Sequence, residues 1–221
     1  MMVIIIMDFY LIFLLFITYA FLGWLMESIY AGITSHKWTS RGFLIGPYCP
    51  IYGYGALLLI ILLTPIKDNL LLVFILSVLI CAVIEYLASL AMEKIFHARW
   101  WDYSKKRFNL QGRICLETII PFGLFGLLIV CFLQPLLITF YLSLPSILMI
   151  SISALLLTIF LTDNIISSFL IYHIRDTIKM RKEDNTEEIN QAIKEVLFSK
   201  SKFNRRILNA YPNFQIIVYK K

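Results

Sequence analysis

Residues 70–95 read Leu70-Leu-Leu-Val-Phe-Ile-Leu-Ser-Val-Leu-Ile-Cys-Ala-Val-Ile-Glu-Tyr-Leu-Ala-Ser-Leu-Ala-Met-Glu-Lys-Ile95. A run of this length rises well over 30 Å as a helix, at about 1.5 Å per residue, and so exceeds a bilayer core of about 30 Å. Four more apolar runs flank it, at about 9–31, 48–66, 116–141 and 145–172. The whole chain agrees: of 221 residues 60% are hydrophobic and 15% charged, and the mean hydropathy is +0.80. Soluble domains are about 45–50% apolar and about 25% charged. A soluble enzyme, a secreted disulfide scaffold and a disordered tail are excluded. The reading is an all-α integral membrane protein with five transmembrane helices. The first run has no basic flank and no small-residue cleavage site, so a retained helix is expected.

Basic residues orient the helices. Lys37 and Arg41 lie in the first connection and Lys67 alone in the second. Lys94, Arg99, Lys105, Lys106, Arg107 and Arg113 lie in the third, and the rest follow residue 172. With the N-terminus outside and the C-terminus cytoplasmic, nineteen of the twenty Lys and Arg residues face the cytoplasm. The expected organisation is a membrane domain over 1–172, with cytoplasmic loops 34–49 and 96–115, and a basic cytoplasmic tail over 173–221. Cys49 and Cys115 then fall at a reducing surface and Cys81 and Cys131 inside helices, which implies neither a disulfide framework nor a zinc site.

This topology places Glu27, Glu85, Glu93, Glu117 and Asp163 in the cytoplasmic half of the bilayer. Glu93 and Glu117 sit at headgroup level, where water can solvate them. Glu85 is the deepest, and an ionisable residue at that depth marks either a functional site or a buried hydrogen-bonded network. Glu85, Ser89 and Glu93 recur at i, i+4, i+8 and stack along one helix side. In the first helix Ala20, Gly23 and Glu27 share a side, where small residues let a neighbouring backbone approach.

The stretch Arg41-Gly-Phe-Leu-Ile-Gly-Pro-Tyr-Cys-Pro-Ile-Tyr-Gly-Tyr-Gly55 opposes continuous helix, because Gly costs about 1 and Pro about 3 kcal/mol relative to Ala. The second span must nevertheless borrow length from it. A broken or re-entrant entry is one outcome, tolerated where irregular backbone is buried in protein or lines a cavity; a turn before an ordinary helix is the other. In the loop from Arg99 to Arg113, Trp100, Trp101, Tyr103 and Phe108 suit the headgroup layer, and Lys105, Lys106 and Arg107 suit anionic lipid. Asp102, Asn109, Gly112 and Arg113 are left over by that reading, and a fold against the acidic pocket would use them. Arg41 and Arg113 are expected to pair with the buried carboxylates.

In the tail, Ile189, Ala192, Ile193, Val196 and Leu197 form an amphipathic helical pattern, with Asn185 as cap. It fits a helix on the cytoplasmic face or on lipid, or a docking element for a cytosolic partner. The basic residues beside it are explained by the membrane, so nucleic acid is not an expected partner. No GxxxxGK[ST], HExxH or GxSxG motif occurs, and His36, His97 and His173 stand isolated at span edges. No cofactor or metal is expected.

Gly23-Trp24 with Glu27, Arg41-Gly-Phe-Leu with Gly46-Pro47, Cys49-Pro-Ile-Tyr-Gly53, Glu85, Glu93, Trp101-Asp-Tyr-Ser104, Phe108-Asn109 and Gly112-Arg113-Ile114 together resemble the ABC-transporter type IV (CmpB) permease family. The resemblance runs over about residues 10–140. It implies a small bacterial plasma-membrane protein and a permease-like subunit. Pro121-Phe122-Gly123 stands where the family pattern calls for Trp-Gly.

The leading functional reading is a permease subunit with a polar site in the cytoplasmic half of the bilayer. Its candidate residues are Glu27, Arg41, Gly46, Pro47, Tyr48, Cys49, Pro50, Tyr52, Gly53, Glu85, Glu93, Trp101, Asp102, Asn109, Arg113 and Asp163. With no ATPase of its own, such a subunit takes its energy from a separate ATP-binding subunit or from an ion gradient. Five helices form a thin bundle, so a homo-oligomer or larger complex is plausible. Two alternatives stand beside it. One is an assembly or regulatory membrane protein that recruits a cytosolic partner. The other is an intramembrane lipid-headgroup enzyme with Glu85 or Glu93 as acid or base and Arg41 and Arg113 as phosphate clamps. The absence of a recognisable nucleophile or metal set argues against catalysis.

Overall fold

The structure, a computed structural model, describes residues 8–36, 38–96, 98–181 and 215–216. Helix α1 is Phe9–Ser35 and ends at His36, whose left-handed φ of 53° stops it. Helix α2, Pro50–Leu63, begins at a proline, whose missing N–H costs nothing in a first turn, and closes in a tight turn over Thr64–Ile66. Helix α3 is Leu70–Phe96, and Asn69 caps it by accepting the Leu72 amide at 3.1 Å.

Helix α4, Leu116–Leu128, runs through a π turn at Ile129–Leu133 into α5, Gln134–Leu142. Pro135 cannot donate to the carbonyl four residues back and its ring crowds that carbonyl, so the widened turn just before it absorbs the mismatch. Helix α6, Ser146–Arg181, continues past the expected end of the fifth run at 172.

Among the described residues, four helical stretches are long and apolar enough to cross a membrane: Phe9–Thr34, Leu70–Phe96, Leu116–Leu142 and Ser146–Tyr172. The fifth apolar run differs. Its helix, Pro50–Ile66, is shorter, because Gly46, Pro47 and the extended Cys49 keep the preceding residues out of helix. Two short strand pairs complete the described fold. β1 (Ala98–Arg99) pairs antiparallel with β4 (Gln215–Ile216), and β2 (Asn109–Leu110) with β3 (Ile114–Cys115). Neither pair was expected from the hydropathy pattern. The amphipathic pattern over 186–199 lies outside the described residues.

Helix α1 sits at the centre, with half of its most apolar stretch buried against 17% in the other three long helices. Its contact with α2 is close because two glycines make it so. A Cβ on Gly23 would enter the Tyr52 ring, and one on Gly53 would lie 2.6 Å from the Phe16 backbone oxygen. On the other side Phe13 and Phe16 meet Phe160 of α6 edge-on, with centroids 6.2 and 5.4 Å away. Helices α3 and α4 pack through Gly123, set against Phe74 and Val78, and Gly126, set against Ser77.

Candidate functional site

Three polar groupings lie along the bundle. The first holds the irregular stretch before α2 in place. Asp163 on α6 is 8% exposed. It accepts the Ile45 amide at 2.9 Å, the Gly46 amide at 2.7 Å, the Tyr48 hydroxyl at 2.6 Å and the Ser167 hydroxyl at 2.7 Å. Four donors satisfy a buried carboxylate without a cation. The Cys49 amide donates to the Ala20 carbonyl at 2.9 Å, a reach that the small side chain of Ala20 permits. The Arg41 amide donates to Ser28 Oγ at 3.2 Å. Leu44, Tyr48 and Cys49 are buried, while Pro47 is exposed at the bend. The entry to α2 is therefore irregular backbone anchored in the protein through Gly42, Leu44, Tyr48 and Cys49, with Ile45 and Pro47 on the outside.

The second grouping lies where α1, α2 and α3 meet the loop after α3. Tyr52 donates to Glu27 Oε1 at 2.5 Å, and Arg41 Nε lies 4.0 Å from Glu27 Oε2. Glu85 on α3 is 7% exposed. Tyr103 of the loop and Glu27 are both close enough to act on its carboxylate electrostatically. Its Oε2 is buried and accepts no hydrogen bond among the described residues. Burial, then the negative charges of Glu85 and Glu27, push the Tyr103 phenol above its ordinary range and keep it protonated as a donor.

The third grouping clamps the loop to α3. Arg113, 6% exposed, ion-pairs with Glu93 at 2.8 Å, donates to Ser89 Oγ at 3.2 Å and lies over the Tyr86 ring. Arg99 lies 3.5 Å from Glu93 and 3.6 Å from Asp102. The loop is folded by its own polar residues. Asp102 accepts the Ser104 amide and hydroxyl, Asn109 accepts the Gly112 amide at 3.0 Å, and Trp101 Nε1 donates to the Arg113 carbonyl at 3.0 Å. Gln111 and Gly112, at φ 53° and 68°, make the turn between β2 and β3. Outside the membrane segments, the exposed Lys106 ammonium is raised above its ordinary value by its hydrogen bond to Glu117.

The expected site residues thus divide. Glu27, Arg41, Tyr52 and Glu85 come together, with Gly53 setting the approach of α2 to α1. Glu93 and Arg113 form the neighbouring clamp, which Trp101, Asp102 and Asn109 support. Asp163 serves Gly46 and Tyr48, and no hydrogen bond or ion pair among the described residues joins it to Glu27 or Glu85. Tyr103 was missed as a site residue, because an aromatic in a cationic loop reads as a headgroup anchor.

The sequence model of the family described as "Putative ABC-transporter type IV" matches residues 14–168. The chain belongs to this family. The matched stretch contains all three polar groupings and leaves out the tail. The ABC-transporter type IV assignment, together with the apolar helices, makes the chain a multi-pass, transport-related membrane protein whose lipid-facing surface is a bilayer partner. No curated protein and no solved structure matches the chain.

Proposed function

We propose that the chain is the permease subunit of a transport system, with its solute site at Glu27, Tyr52 and Glu85 in the cytoplasmic half of the bilayer. The observation that carries this reading is the non-helical entry to α2, from Arg41 to Cys49, tied to Asp163 through the Ile45 and Gly46 amides and to Glu27 through Arg41. Non-helical backbone at membrane depth is tolerated where it is buried in protein or lines a cavity, and interrupted helices recur at transporter binding sites. The entry plus Pro50–Ile66 then forms a fifth, short span. The N-terminus lies outside, and the tail and the clamp of Arg113 on Glu93 lie in the cytoplasm, as the basic residues favour. Asp163 is a positioning residue that holds the entry in shape.

The sequence has no nucleotide-binding loop, so a separate ATP-binding subunit supplies the energy, and a homo-oligomer completes the thin bundle. Inverted membrane vesicles carrying the chain, incubated with a mixture of small polar and cationic metabolites, test the site. Uptake of a defined solute class that falls at least tenfold in Glu85→Gln and Glu27→Gln is expected. Uptake untouched by both substitutions would remove the site assignment.

A further inference from the structure

The loop between α3 and α4 has the composition of a headgroup layer, but the fold engages most of its aromatics and one of its cations within the protein. Trp100 is buried, Trp101 donates to the Arg113 carbonyl, and Lys106 is ion-paired with Glu117 at 2.9 Å. A smaller set stays outside. Phe108 is 82% exposed, and Lys105 and Arg107, both exposed, have no ion pair among the described residues. Phe108 also holds a left-handed φ of 50°, which is strained for a bulky side chain. Asn109 fixes that turn from the protein side, its Nδ2 donating to the carbonyls of Ser104 at 3.2 Å and Lys106 at 2.7 Å. A ring so exposed gains little from packing within the protein, so the contact that suits it lies outside. Strand register gives the level of the turn. Leu110 pairs with Ile114 and Asn109 with Cys115, so the next position along, Phe108, stands opposite Leu116. Leu116 is the first residue of the spanning stretch Leu116–Leu142, and the Lys106–Glu117 pair ties the turn to the same end of α4. Phe108 and the half-exposed Leu110, alternate residues of one strand, share a face, and Leu116 extends the apolar surface beside them. An aromatic ring at the mouth of a spanning helix suits the acyl boundary, and two unpaired cations beside it suit a lipid phosphate.

We propose that Lys105, Arg107 and Phe108 form a binding site for an anionic phospholipid of the leaflet where α4 enters the bilayer. The site needs only that Leu116–Leu142 spans the membrane, and it stands or falls independently of the solute site. The test uses the full-length protein in phosphatidylcholine nanodiscs doped with a phosphatidylglycerol or a phosphatidylcholine analogue, each photoreactive at the headgroup, and maps the crosslinked residues by mass spectrometry. A Lys or Arg at the surface favours anionic lipid about fivefold, so the phosphatidylglycerol analogue should label residues 104–110 roughly twentyfold more than the phosphatidylcholine one. Lys105→Gln and Arg107→Gln should each lower that ratio about fivefold. Lys94→Gln, which removes an exposed cation at the end of α3 but not from the turn, should leave it unchanged. Phe108→Asn keeps a residue that tolerates the left-handed backbone and removes the ring. It should reduce labelling of the turn by both analogues while Tm in detergent stays the same. The wild-type comparison of the two analogues requires no variant to fold. Equal labelling by both, or a ratio that Lys94→Gln lowers as much as Arg107→Gln, would overturn the proposal by showing no lipid selectivity or only diffuse surface charge. A turn that crosslinks to a copurifying protein instead of lipid would also overturn it, as would a Tm lowered by several °C in Phe108→Asn, which would place the ring in a protein contact.

Discussion

Asp163 accepts the backbone amide of Gly46 at 2.7 Å, across 117 residues of chain. That bond and its companions from Ile45 and Tyr48 hold an irregular segment against α6, where helical hydrogen bonding cannot serve it. Asp163→Asn keeps the shape but turns one acceptor oxygen into a donor that faces N–H groups. An unmatched buried donor costs about 1–3 kcal/mol. The substitution should lower Tm by several °C and make the buried Cys49 thiol reactive to maleimide in membranes, while wild-type Cys49 stays protected. Unchanged labelling in the variant would show that this carboxylate does not hold the segment.

The glycines of the α1–α2 contact should both resist a side chain. At Gly53 the obstacle to a Cβ is the Phe16 backbone oxygen, 2.6 Å away, and at Gly23 it includes the Tyr52 Cβ at 2.5 Å, which moves only with the α2 backbone. Overpacking costs about 1–3 kcal/mol. Gly53→Ala and Gly23→Ala should therefore each lower thermal stability. Gly23→Ala should in addition weaken solute uptake, because the backbone shift that makes room carries Tyr52 away from Glu27. A Tm unchanged in both variants would contradict the close contact.

Arg113 supplies the short ion pair to Glu93 and the bond to Ser89, so its removal leaves Glu93 with Arg99 at 3.5 Å. Breaking a buried pair from one side costs about 3–5 kcal/mol. Arg113→Ala should approach that loss by thermal unfolding, and Arg113→Lys should recover only part, since an ammonium lacks the planar fork that reaches both partners. The double variant Arg113→Met with Glu93→Gln should be more stable than Arg113→Ala alone. A double variant as unstable as the single one would contradict the pairing.

Much of this was legible in one dimension. Each of the four long helices follows from an apolar run of spanning length. The clamp follows from Glu85, Ser89 and Glu93 recurring every fourth residue, a polar row that a cation of the next loop can meet. Gly23 was readable as a close-packing position for the same periodic reason. The inward turn of Tyr103 was not, because nothing in the spacing between Glu85 and the loop encodes a bend back toward α3. Nor was the partner of Asp163, since hydropathy and depth carry no information about which segment crosses a given helix. The short α2 was half legible: the Gly and Pro density predicted interruption but not that it would be packed into α1 and α6.

Tyr103 also yields a pH dependence. Its phenol is raised above the ordinary value of 10.0 in the folded protein. The unfolded chain therefore loses the proton first, and stability falls as pH rises above about 10, being fully present below that value. Between pH 8 and 11 the Tm of wild type should decline more steeply than that of Tyr103→Phe. Parallel declines would place the Tyr103 hydroxyl in water.

The most direct test of the permease reading is affinity purification of the full-length chain from its native membrane in mild detergent, with mass spectrometry and an ATPase assay on the eluate. The prediction is a stoichiometric ATP-binding subunit whose hydrolysis falls in Glu85→Gln. A clean homo-oligomer with no ATPase would contradict it.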